Sequence, residues 1–299
     1  MLPAWAQVKV TVHDDRISVD VNGRPFTELF VKGEGVTKPY FHPLRSATGK
    51  IVTRRYPMEI VEGERQDHPH HRGLWFTHGD VNGLDFWTAD PSREGDKYGT
   101  VELVEIGGVS SGEERGSLAA TFDWKDPRGK ALLREERTVY FYAHPSLRIM
   151  DLQIRLTGVE KVKFGDTKEG TFAIRVAESM NERNGGTLVN AEGQTGEKNV
   201  WGKRSPWMDY YGEVDGEPVG VAIFDHPDNP KHPTYWHVRG YGLFGANIFG
   251  EHDFYSDKTR DGSLTLEPHQ SWIFQYRVVI HPGSAASAGL AKMHEDYAK

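Results

Sequence analysis

The stretch VKVTVHDDRISVDVNGRPFTELFV, residues 8–31, decides the fold class of this 299-residue chain. Valine alternates with polar residues over residues 8–12, and Ile or Val does so over residues 17–21. An alternation of period two is typical of half-buried β-strands. Asn22-Gly23 then predicts a type I′ turn, because both residues tolerate a positive φ. Residues 26–31 would form the return strand, so the chain opens with an antiparallel hairpin.

The same period continues along the chain. Further strands are predicted at residues 100–106, 117–124, 132–142, 147–156, 171–176, 187–189, 219–224, 263–266 and 271–280. One helix is predicted at residues 284–298, capped by Ser284 and packed on the outside of a sheet. No Gly-, Ser- or Pro-rich linker divides the chain, which favours one domain over residues 7–299. Many antiparallel strands indicate an all-β fold, either two packed sheets or a barrel.

The composition of the chain argues against several classes of function. The net charge is −7, and no basic stripe is present, which argues against a nucleic-acid partner. No 18-residue window is apolar enough to predict a membrane partner. The absence of Cys excludes thiolate chemistry. Ala4-Trp5-Ala6 has the small-x-small form of a signal-peptidase site, so residues 1–6 are interpreted as the remnant of an export signal. The predicted location is periplasmic or secreted; an ordinary Ala-rich start and a cytoplasmic location are the alternative.

The candidate site centres on DHPHHRGLWFTHGD, residues 67–80, a loop that leads into a short strand. It contains His68, His70, His71 and His78, and three interpretations compete. The first is a metal site with His68, His70 and His78 as ligands, although Pro69 bends the chain between the first two. The second is a polyol site, in which neutral imidazoles donate and accept hydrogen bonds while Trp75 and Trp87 pack on sugar C–H groups. The third is purely structural, with the histidines bonded to loop backbone.

Three other segments offer candidate groups. Glu169, beside Gly170, could act as an acid–base carboxylate, or it could belong to a solvated charged turn. Residues 201–212 interleave aromatics with cations and are interpreted either as a binding lip or as a loop that covers a sheet edge. Residues 224–237 form a Pro-stiffened polar loop that either binds ligand or caps its own backbone.

The segments at residues 67–87, 39–44, 166–170 and 224–227 together resemble the bacterial PmoA-like family of unknown function, over residues 22–281. The family's name suggests a methane monooxygenase subunit, but such a subunit spans the membrane several times, so we treat the name as an inherited label. The resemblance implies the galactose-mutarotase-like supersandwich fold, which sugar epimerases, glycoside hydrolases and polysaccharide lyases share. The local motifs of mutarotases do not match, and no catalytic residue is transferred.

The sequence therefore predicts a large two-sheet antiparallel β-supersandwich with a short C-terminal helix, acting on a carbohydrate by hydrolysis, elimination or epimerisation. The predicted catalytic residues are His71, His78 and Glu169. Predicted substrate-binding residues are His70, Arg72, Trp75, Asp80, Lys203, Trp207, His226, Trp236 and His237. The expected partner is a sugar or oligosaccharide, and no cofactor is predicted. The alternatives are a non-catalytic carbohydrate-binding module and a divalent-metal enzyme that uses His68, His70 and His78.

Overall fold

Two eight-stranded antiparallel sheets face each other in a computed structural model of the chain, which describes residues 7–93 and 95–299. Two further strands form a separate two-stranded ladder. The predicted all-β sandwich is confirmed. The predicted export remnant at residues 1–6 lies outside the described residues.

The elements follow closely on one another along the chain. The strands are β1 (Val8–Val12), β2 (Arg16–Val21), β3 (Arg24–Phe30), β4 (Tyr40–Phe41), β5 (Leu74–His78), β6 (Thr100–Ser110), β7 (Arg115–Lys125), β8 (Ala131–Tyr142), β9 (Arg148–Gly158), β10 (Val162–Phe164), β11 (Gly170–Arg175), β12 (Thr187–Asn190), β13 (Trp207–Val214), β14 (Glu217–Asp225), β15 (Tyr235–Arg239), β16 (Leu243–Asn247), β17 (Leu264–Leu266) and β18 (Ser271–Pro282). The α-helices are α1 (Glu197–Val200), α2 (Glu251–Phe254), α3 (Ala285–Ala288) and α4 (Leu290–Tyr297). Glu178–Met180 and Glu182–Asn184 are single 3₁₀ turns.

The first sheet has the strand order β1-β2-β3-β4-β5-β11-β16-β15, and the second has the order β12-β13-β14-β18-β9-β8-β7-β6. Strands β10 and β17 form the separate two-stranded ladder.

The opening hairpin forms as predicted. Asn22 and Gly23 adopt φ values of 54° and 72°, the left-handed conformations of a type I′ turn. The turn places Val21 opposite Arg24, and β1 pairs with β2 from Val8–Val21 to Val12–Ile17. The alternating residues Val8, Val10, Ile17, Val19 and Val21 therefore fall on one face and are buried, whereas Val12 at the end of β1 is exposed. The local pattern thus sets which side of this sheet faces the core.

Each strand of the first sheet has an inner face toward the second sheet and an outer face away from it. In β5, Leu74 and Phe76 belong to the large apolar core between the sheets, whereas Trp75 belongs to a separate cluster on the outer face. In β11, Phe172 and Ile174 face the inner core in the same way. Loops cover the outer face, so β5 and β11 are buried on both sides.

The C-terminal segment is two short helices instead of the single predicted one. Gly289, with φ of 70°, ends α3 and begins α4, because a left-handed residue cannot continue an α-helix. Ser284 caps α3 as predicted, by accepting a hydrogen bond from the Ser287 backbone N–H. The pair packs through Ala285 and Leu290 on the outer face of the second sheet, as expected for this segment.

Several strands have no clear alternation in the sequence. Residues 207–212, interpreted as part of a lip or loop, belong to β13, which pairs with β14 from Trp207–Phe224 to Val214–Glu217. Strands β15 and β16 were not predicted either, because strands covered on both faces lose the period-two pattern. Among residues 7–93 and 95–299, no helix is long and apolar enough to cross a membrane.

Candidate functional site

The centre of the first sheet's outer face forms the floor of the candidate site. Strands β4, β5, β11, β16 and β15 place Tyr40, Trp75, Ala173, Gly245 and His237 side by side in one row. The two smallest residues stand in the middle of this row, between the indole of Trp75 and the imidazole of His237. Both small residues are buried, and the rings on either side stand over them.

The loop of residues 67–72 covers this floor with imidazoles. The His71 ring stacks on Trp75 at a centroid distance of 5.2 Å, and the His68 ring stacks on His71 at 4.8 Å. His70 meets His71 edge-on at 4.4 Å. His68 has a φ of 45°, a conformation uncommon outside glycine, and its carbonyl accepts a hydrogen bond from Arg54 Nη2 at 2.8 Å. The buried guanidinium therefore fixes the turn that presents these rings.

Trp87 closes the site from another loop. Its ring lies 5.0 Å from Trp75, and it stacks on His237 at 6.2 Å. The buried Lys38 ammonium donates to the Trp87 carbonyl at 2.5 Å and to the Ala89 carbonyl at 3.2 Å. Burial lowers the pKa of Lys38 to about 7. Lys38 thus anchors the backbone on which Trp87 stands.

A charged group lies at one end of the floor. Arg175, on β11, donates through Nη2 to Asp67 Oδ1 at 3.0 Å and through Nη1 to His71 Nδ1 at 3.4 Å. Arg54 donates through Nη1 to the same Asp67 oxygen at 2.6 Å. The Tyr241 ring lies 4.4 Å from the Arg175 guanidinium carbon. Two buried guanidinium groups therefore share one carboxylate oxygen.

Several buried polar atoms on this face have no hydrogen-bond partner within residues 7–93 and 95–299. They are His70 Nδ1, Trp75 Nε1, Thr77 Oγ1, Trp87 Nε1, Thr171 Oγ1 and His237 Nδ1. Thr77 and Thr171 are direct cross-strand partners next to the Trp75–Ala173 pair, so the unpartnered atoms form one patch. A buried polar group left without a partner costs about 1–3 kcal/mol. A patch of this kind is the surface that a ligand with several hydroxyl groups would satisfy.

The imidazoles of the patch are neutral at pH 7. Burial lowers the pKa of His70 to about 2 and lowers the pKa values of His71 and His237 well below 6.5. Arg175 can only donate, so His71 Nδ1 accepts and the proton of this ring resides on Nε2. A hydrogen bond donated by the His237 ring to the Lys168 backbone carbonyl opposes the fall in the pKa of His237. That bond uses Nε2, since Nδ1 has no partner in the described chain, and it leaves Nδ1 as an acceptor.

Glu169 stands at the rim, directly before β11. Its side chain is 30% exposed and pairs with Lys168 at 3.2 Å. The backbone N–H of Gly79 donates to the Glu169 carbonyl at 2.7 Å, which ties the residue to the end of β5. Glu169 also contributes to the raised pKa of Tyr241, after burial of that ring, so its carboxylate acts electrostatically on the site.

The structure brings together five of the predicted residues: His70, His71, Trp75, His237 and, at the rim, Glu169. Arg72 is adjacent, but it is engaged by Asp90 Oδ2 at 3.1 Å and covers the Tyr40 ring at 5.7 Å.

Two predicted residues face the other way, toward the core between the sheets. His78 Nε2 lies 2.8 Å from the Gly165 carbonyl, and burial lowers the pKa of this ring to about 4. Trp236 donates through Nε1 to the Ser205 carbonyl at 2.9 Å and belongs to the apolar core. His78 is three residues from Trp75, and Trp236 is adjacent to His237. Because strand side chains alternate, both belong to the opposite face.

Four other predicted residues also lie apart from the site. Trp207 packs with the C-terminal helices on the second sheet, and His226 meets Tyr297 of α4 at 5.1 Å. Lys203 is exposed. Asp80 accepts the Gly83 N–H at 2.9 Å within a turn.

The three histidines of the alternative metal site do not come together in the structure. Within residues 7–93 and 95–299, no group of three or more His, Asp or Glu side chains is arranged to hold a metal ion. His68 and His70 stand over the outer face, whereas His78 points to the inner one. The sheet itself separates the proposed third ligand from the other two.

Sequence reasoning missed several groups of the site, among them Arg54, Asp67, Thr77, Thr171 and Arg175. Arg175 carried a detectable signal, since it is the one charged residue of an otherwise uncharged buried strand, GTFAIR. A charge inside such a strand needs a partner and marks a position worth testing. The unpartnered threonines carried no such signal.

An open groove of about 990 Å³ lies away from this patch. Its lining includes Thr53, Arg55, Glu64, Glu178 and Tyr211. Glu64 is occupied by the backbone N–H groups of Arg55 and Tyr56, and Glu178 pairs with Arg65 at 3.3 Å. None of the predicted site residues lines this groove.

Some solved structures share the course of the backbone. The GH36 α-galactosidase AgaB from Geobacillus stearothermophilus has a TM-score of 0.46 at 9% identity, over 94% of this chain and 42% of its own. The galactose mutarotase related enzyme from Lactobacillus acidophilus has a TM-score of 0.38 at 9% identity, over 93% of this chain and 98% of its own. The Slr1438 protein from Synechocystis sp. PCC 6803 has a TM-score of 0.39 at 9% identity, over 94% of this chain and 98% of its own. The chain thus spans about two fifths of the α-galactosidase. At such identities the similarity concerns the fold and gives no residue a role.

No curated protein matches the chain in sequence. The sequence profile of DUF6807, described as a family of unknown function, matches residues 16–295. This match includes every residue of the outer-face patch, and the PmoA-like resemblance stays a prediction beside it. The chain belongs to the DUF6807 family.

Proposed function

We propose that the outer face of the first sheet binds a carbohydrate and that Glu169 carries acid–base chemistry on it. The observation that supports this most directly is the patch of unpartnered polar atoms formed by His70, Trp75, Thr77, Trp87, Thr171 and His237. The resemblance to the PmoA-like family, which rests chiefly on residues 67–87, implies a fold that sugar epimerases, glycoside hydrolases and polysaccharide lyases share.

The chemistry of the patch suits a polyol. The indole N–H groups of Trp75 and Trp87 only donate, His237 Nδ1 accepts, and the threonine hydroxyls do both. A sugar hydroxyl can donate and accept at once, so it can satisfy neighbours of both kinds. The flat rings of Trp75 and Trp87 match the C–H faces of a sugar ring. The imidazoles are neutral, so they orient hydroxyl groups without adding charge.

The low pKa values of the imidazoles also favour different roles for His71 and Glu169. Near pH 7, His71 is held neutral and donates through Nε2, so we assign it a positioning role toward a substrate oxygen. Glu169 is the carboxylate at the rim and is part exposed, so it can exchange a proton with the solvent between turnovers. The reaction is thus hydrolysis, elimination or epimerisation with Glu169 as the proton-transfer group.

Binding is tested by thermal unfolding with mono- and oligosaccharides. A ligand present at ten times its Kd stabilises the folded chain by roughly 1.4 kcal/mol. For a chain of this size that raises the Tm by about 2–4 °C. The Trp75→Phe variant should lose most of this shift, whereas Trp236→Phe, on the opposite face, should keep it. An unshifted Tm across the whole panel would remove the proposal.

Catalysis is tested separately by Glu169→Gln. Loss of a general acid–base group lowers kcat by about 10²- to 10⁴-fold. The matched control is Glu136→Gln on the outer face of the second sheet, which should keep full activity with the sugar found in the binding assay. A fully active Glu169→Gln protein would contradict the catalytic assignment, and binding without turnover in the wild type would leave a carbohydrate-binding module.

A further inference from the structure

The charges around the site are almost all balanced in pairs. Direct ion pairs join one cation to one carboxylate at the edges of the outer face: Arg72 with Asp90 at 3.1 Å, Lys168 with Glu169 at 3.2 Å, and Arg239 with Glu197 at 3.4 Å. Two buried groups lack such one-to-one pairing: Lys38, which donates only to the backbone carbonyls of Trp87 and Ala89, and the group in which Arg54 and Arg175 share Asp67. The Arg54–Asp67–Arg175 group carries one positive charge more than Asp67 neutralises.

The surplus charge is buried. The side chains of Arg54 and Arg175 are fully shielded from solvent, and both Nε atoms have no partner within the described ranges 7–93 and 95–299. Glu178 acts on Arg175 from beyond contact distance and pairs with Arg65 at 3.3 Å. Glu64 accepts only the neutral backbone N–H groups of Arg55 and Tyr56, so its carboxylate offsets part of the charge of Arg54, and Arg175 is the less compensated of the two cations. An uncompensated buried cation destabilises the fold, and an anion in contact with it would offset that cost.

Arg175 is the cation placed to meet a ligand. It is on the outer face of β11, two residues from Ala173 at the centre of the floor. Arg54 instead uses its Nη atoms on Asp67 and on loop carbonyls, so it is tied into the loop. Arg175 Nε has no partner within residues 7–93 and 95–299, and Nη2 gives one of its two hydrogens to Asp67. Nε and Nη2 together form the edge of a guanidinium that binds a carboxylate with two hydrogen bonds.

We propose that the sugar bound on this face carries a carboxylate, as a uronic acid does, and that Arg175 binds it. This inference rests on the proposed function, because it names the substrate class of the same site. The cations of the predicted lip at residues 201–212, Lys203 and Arg204, are not placed for this role. Lys203 is exposed, and Arg204 is occupied by the carbonyls of Lys231, His232 and Pro233.

The test compares D-glucuronate with D-glucose by titration calorimetry on the full chain, at fixed ionic strength and with acetate as the free carboxylate. The two sugars differ only at C6. We expect glucuronate to bind at least about tenfold more tightly than glucose, the equivalent of about 1.4 kcal/mol, which is within reach of one charge-assisted hydrogen bond. Acetate should bind far more weakly than glucuronate, since it cannot reach the aromatic and hydroxyl contacts.

Variants assign the preference to Arg175. Arg175→Gln should abolish the preference for glucuronate, and Arg175→Lys should restore part of it. Arg277→Gln is the matched control, because Arg277 is bound one-to-one by Asp151 on the second sheet. If Arg175→Gln does not fold, the Asp67→Asn variant provides a second test of the preference for glucuronate. It removes the shared carboxylate while both cations remain, so the preference should persist or grow.

The outcomes separate the two proposals. Equal binding of the two sugars, or tighter binding of glucose, overturns the uronate inference and leaves the carbohydrate site standing. A preference that survives Arg175→Gln also overturns it. Tight binding of acetate alone overturns it too, because the site would then recognise a free carboxylate without the sugar. Failure of every sugar in the panel removes the proposed function itself.

Discussion

The two faces of the first sheet are made by the same strands and are equally buried, yet they differ in how their polar groups are satisfied. On β15, Trp236 faces inward and donates to the Ser205 carbonyl, whereas His237 faces outward with Nδ1 unpartnered within the described chain. On β5, His78 faces inward and reaches the Gly165 carbonyl through one nitrogen, whereas the indole N–H of Trp75 faces outward without a partner.

The comparison teaches that burial alone does not identify a site. Both faces contain Trp and His at low exposure, and both lower the pKa values of their imidazoles. The inner face surrounds its few polar rings with Leu, Ile and Phe and bonds His78 and Trp236 to backbone carbonyls, which leaves His78 Nδ1 as the unpartnered nitrogen of these two rings within the described chain. The outer face gathers aromatic, imidazole and hydroxyl groups around a floor of Ala173 and Gly245. The density of unpartnered polar atoms, and not the residue types, distinguishes a binding face from a core.

The largest expected effect is on acid stability. His70, His71 and His237 have lowered pKa values in the folded chain and ordinary values near 6.5 when unfolded. Below pH 6.5 the unfolded chain therefore binds more protons, and the free energy of unfolding falls as the pH falls. Each group contributes up to about 1.4 kcal/mol per pH unit to this fall in the free energy of unfolding, so the three groups together contribute up to about 4 kcal/mol per pH unit. Urea denaturation at pH 7, 6 and 5 measures this slope.

Single variants apportion that slope between the two faces. His70→Gln should reduce the slope by up to about 1.4 kcal/mol per pH unit, and His78→Gln should do the same for the inner face. His13→Gln is the control, since that ring stays exposed at the surface. His281 works in the opposite direction, because Asp209 raises its pKa against the effect of burial and its contribution is present at low pH. A stability independent of pH between 7 and 5 would contradict the neutral state of the buried imidazoles.

A smaller effect separates the two tryptophans. Trp75→Phe and Trp236→Phe remove similar volume, so the difference between them reports the indole N–H. Trp236→Phe leaves the buried Ser205 carbonyl without its donor, and we expect it to be less stable than Trp75→Phe by about 1–3 kcal/mol. Denaturant unfolding without ligand provides the comparison. Equal losses would mean that the Trp75 N–H is as well satisfied as that of Trp236.

The smallest effect concerns threonine hydroxyls. Thr171→Val replaces an unpartnered hydroxyl by a methyl group of similar size, so stability should be unchanged or should rise by up to about 1 kcal/mol. Thr53→Val is the matched change at a bonded hydroxyl, which accepts the Leu44 N–H at 3.2 Å, and should cost about 1 kcal/mol. Thermal unfolding measures both. A larger loss for Thr171→Val than for Thr53→Val would place the Thr171 hydroxyl in a structural bond instead of a ligand site.

Much of the fold could be predicted because it is local. The Asn22-Gly23 turn, the alternating strands of the second sheet and the Ser284 cap each depend on a few consecutive residues. The site was predicted in part. His70, His71 and Trp75 came from one loop and the strand that follows it, so their proximity was visible in the sequence. Trp236 and His237 were chosen together, although adjacent strand residues point to opposite faces and only one can line a site.

The sequence by itself determined the all-β class, the turn positions and the segment rich in His and Trp, because hydrophobic period and turn chemistry act over a few residues. The tertiary structure alone decided which of those residues meet. The order β4-β5-β11-β16-β15 brings residues 40, 75, 173, 245 and 237 into one row, although residues 40 and 245 are 205 positions apart in the chain. Sheet pairing is a non-local choice, and so are the pairing of Arg175 with Asp67 and the surplus charge that results.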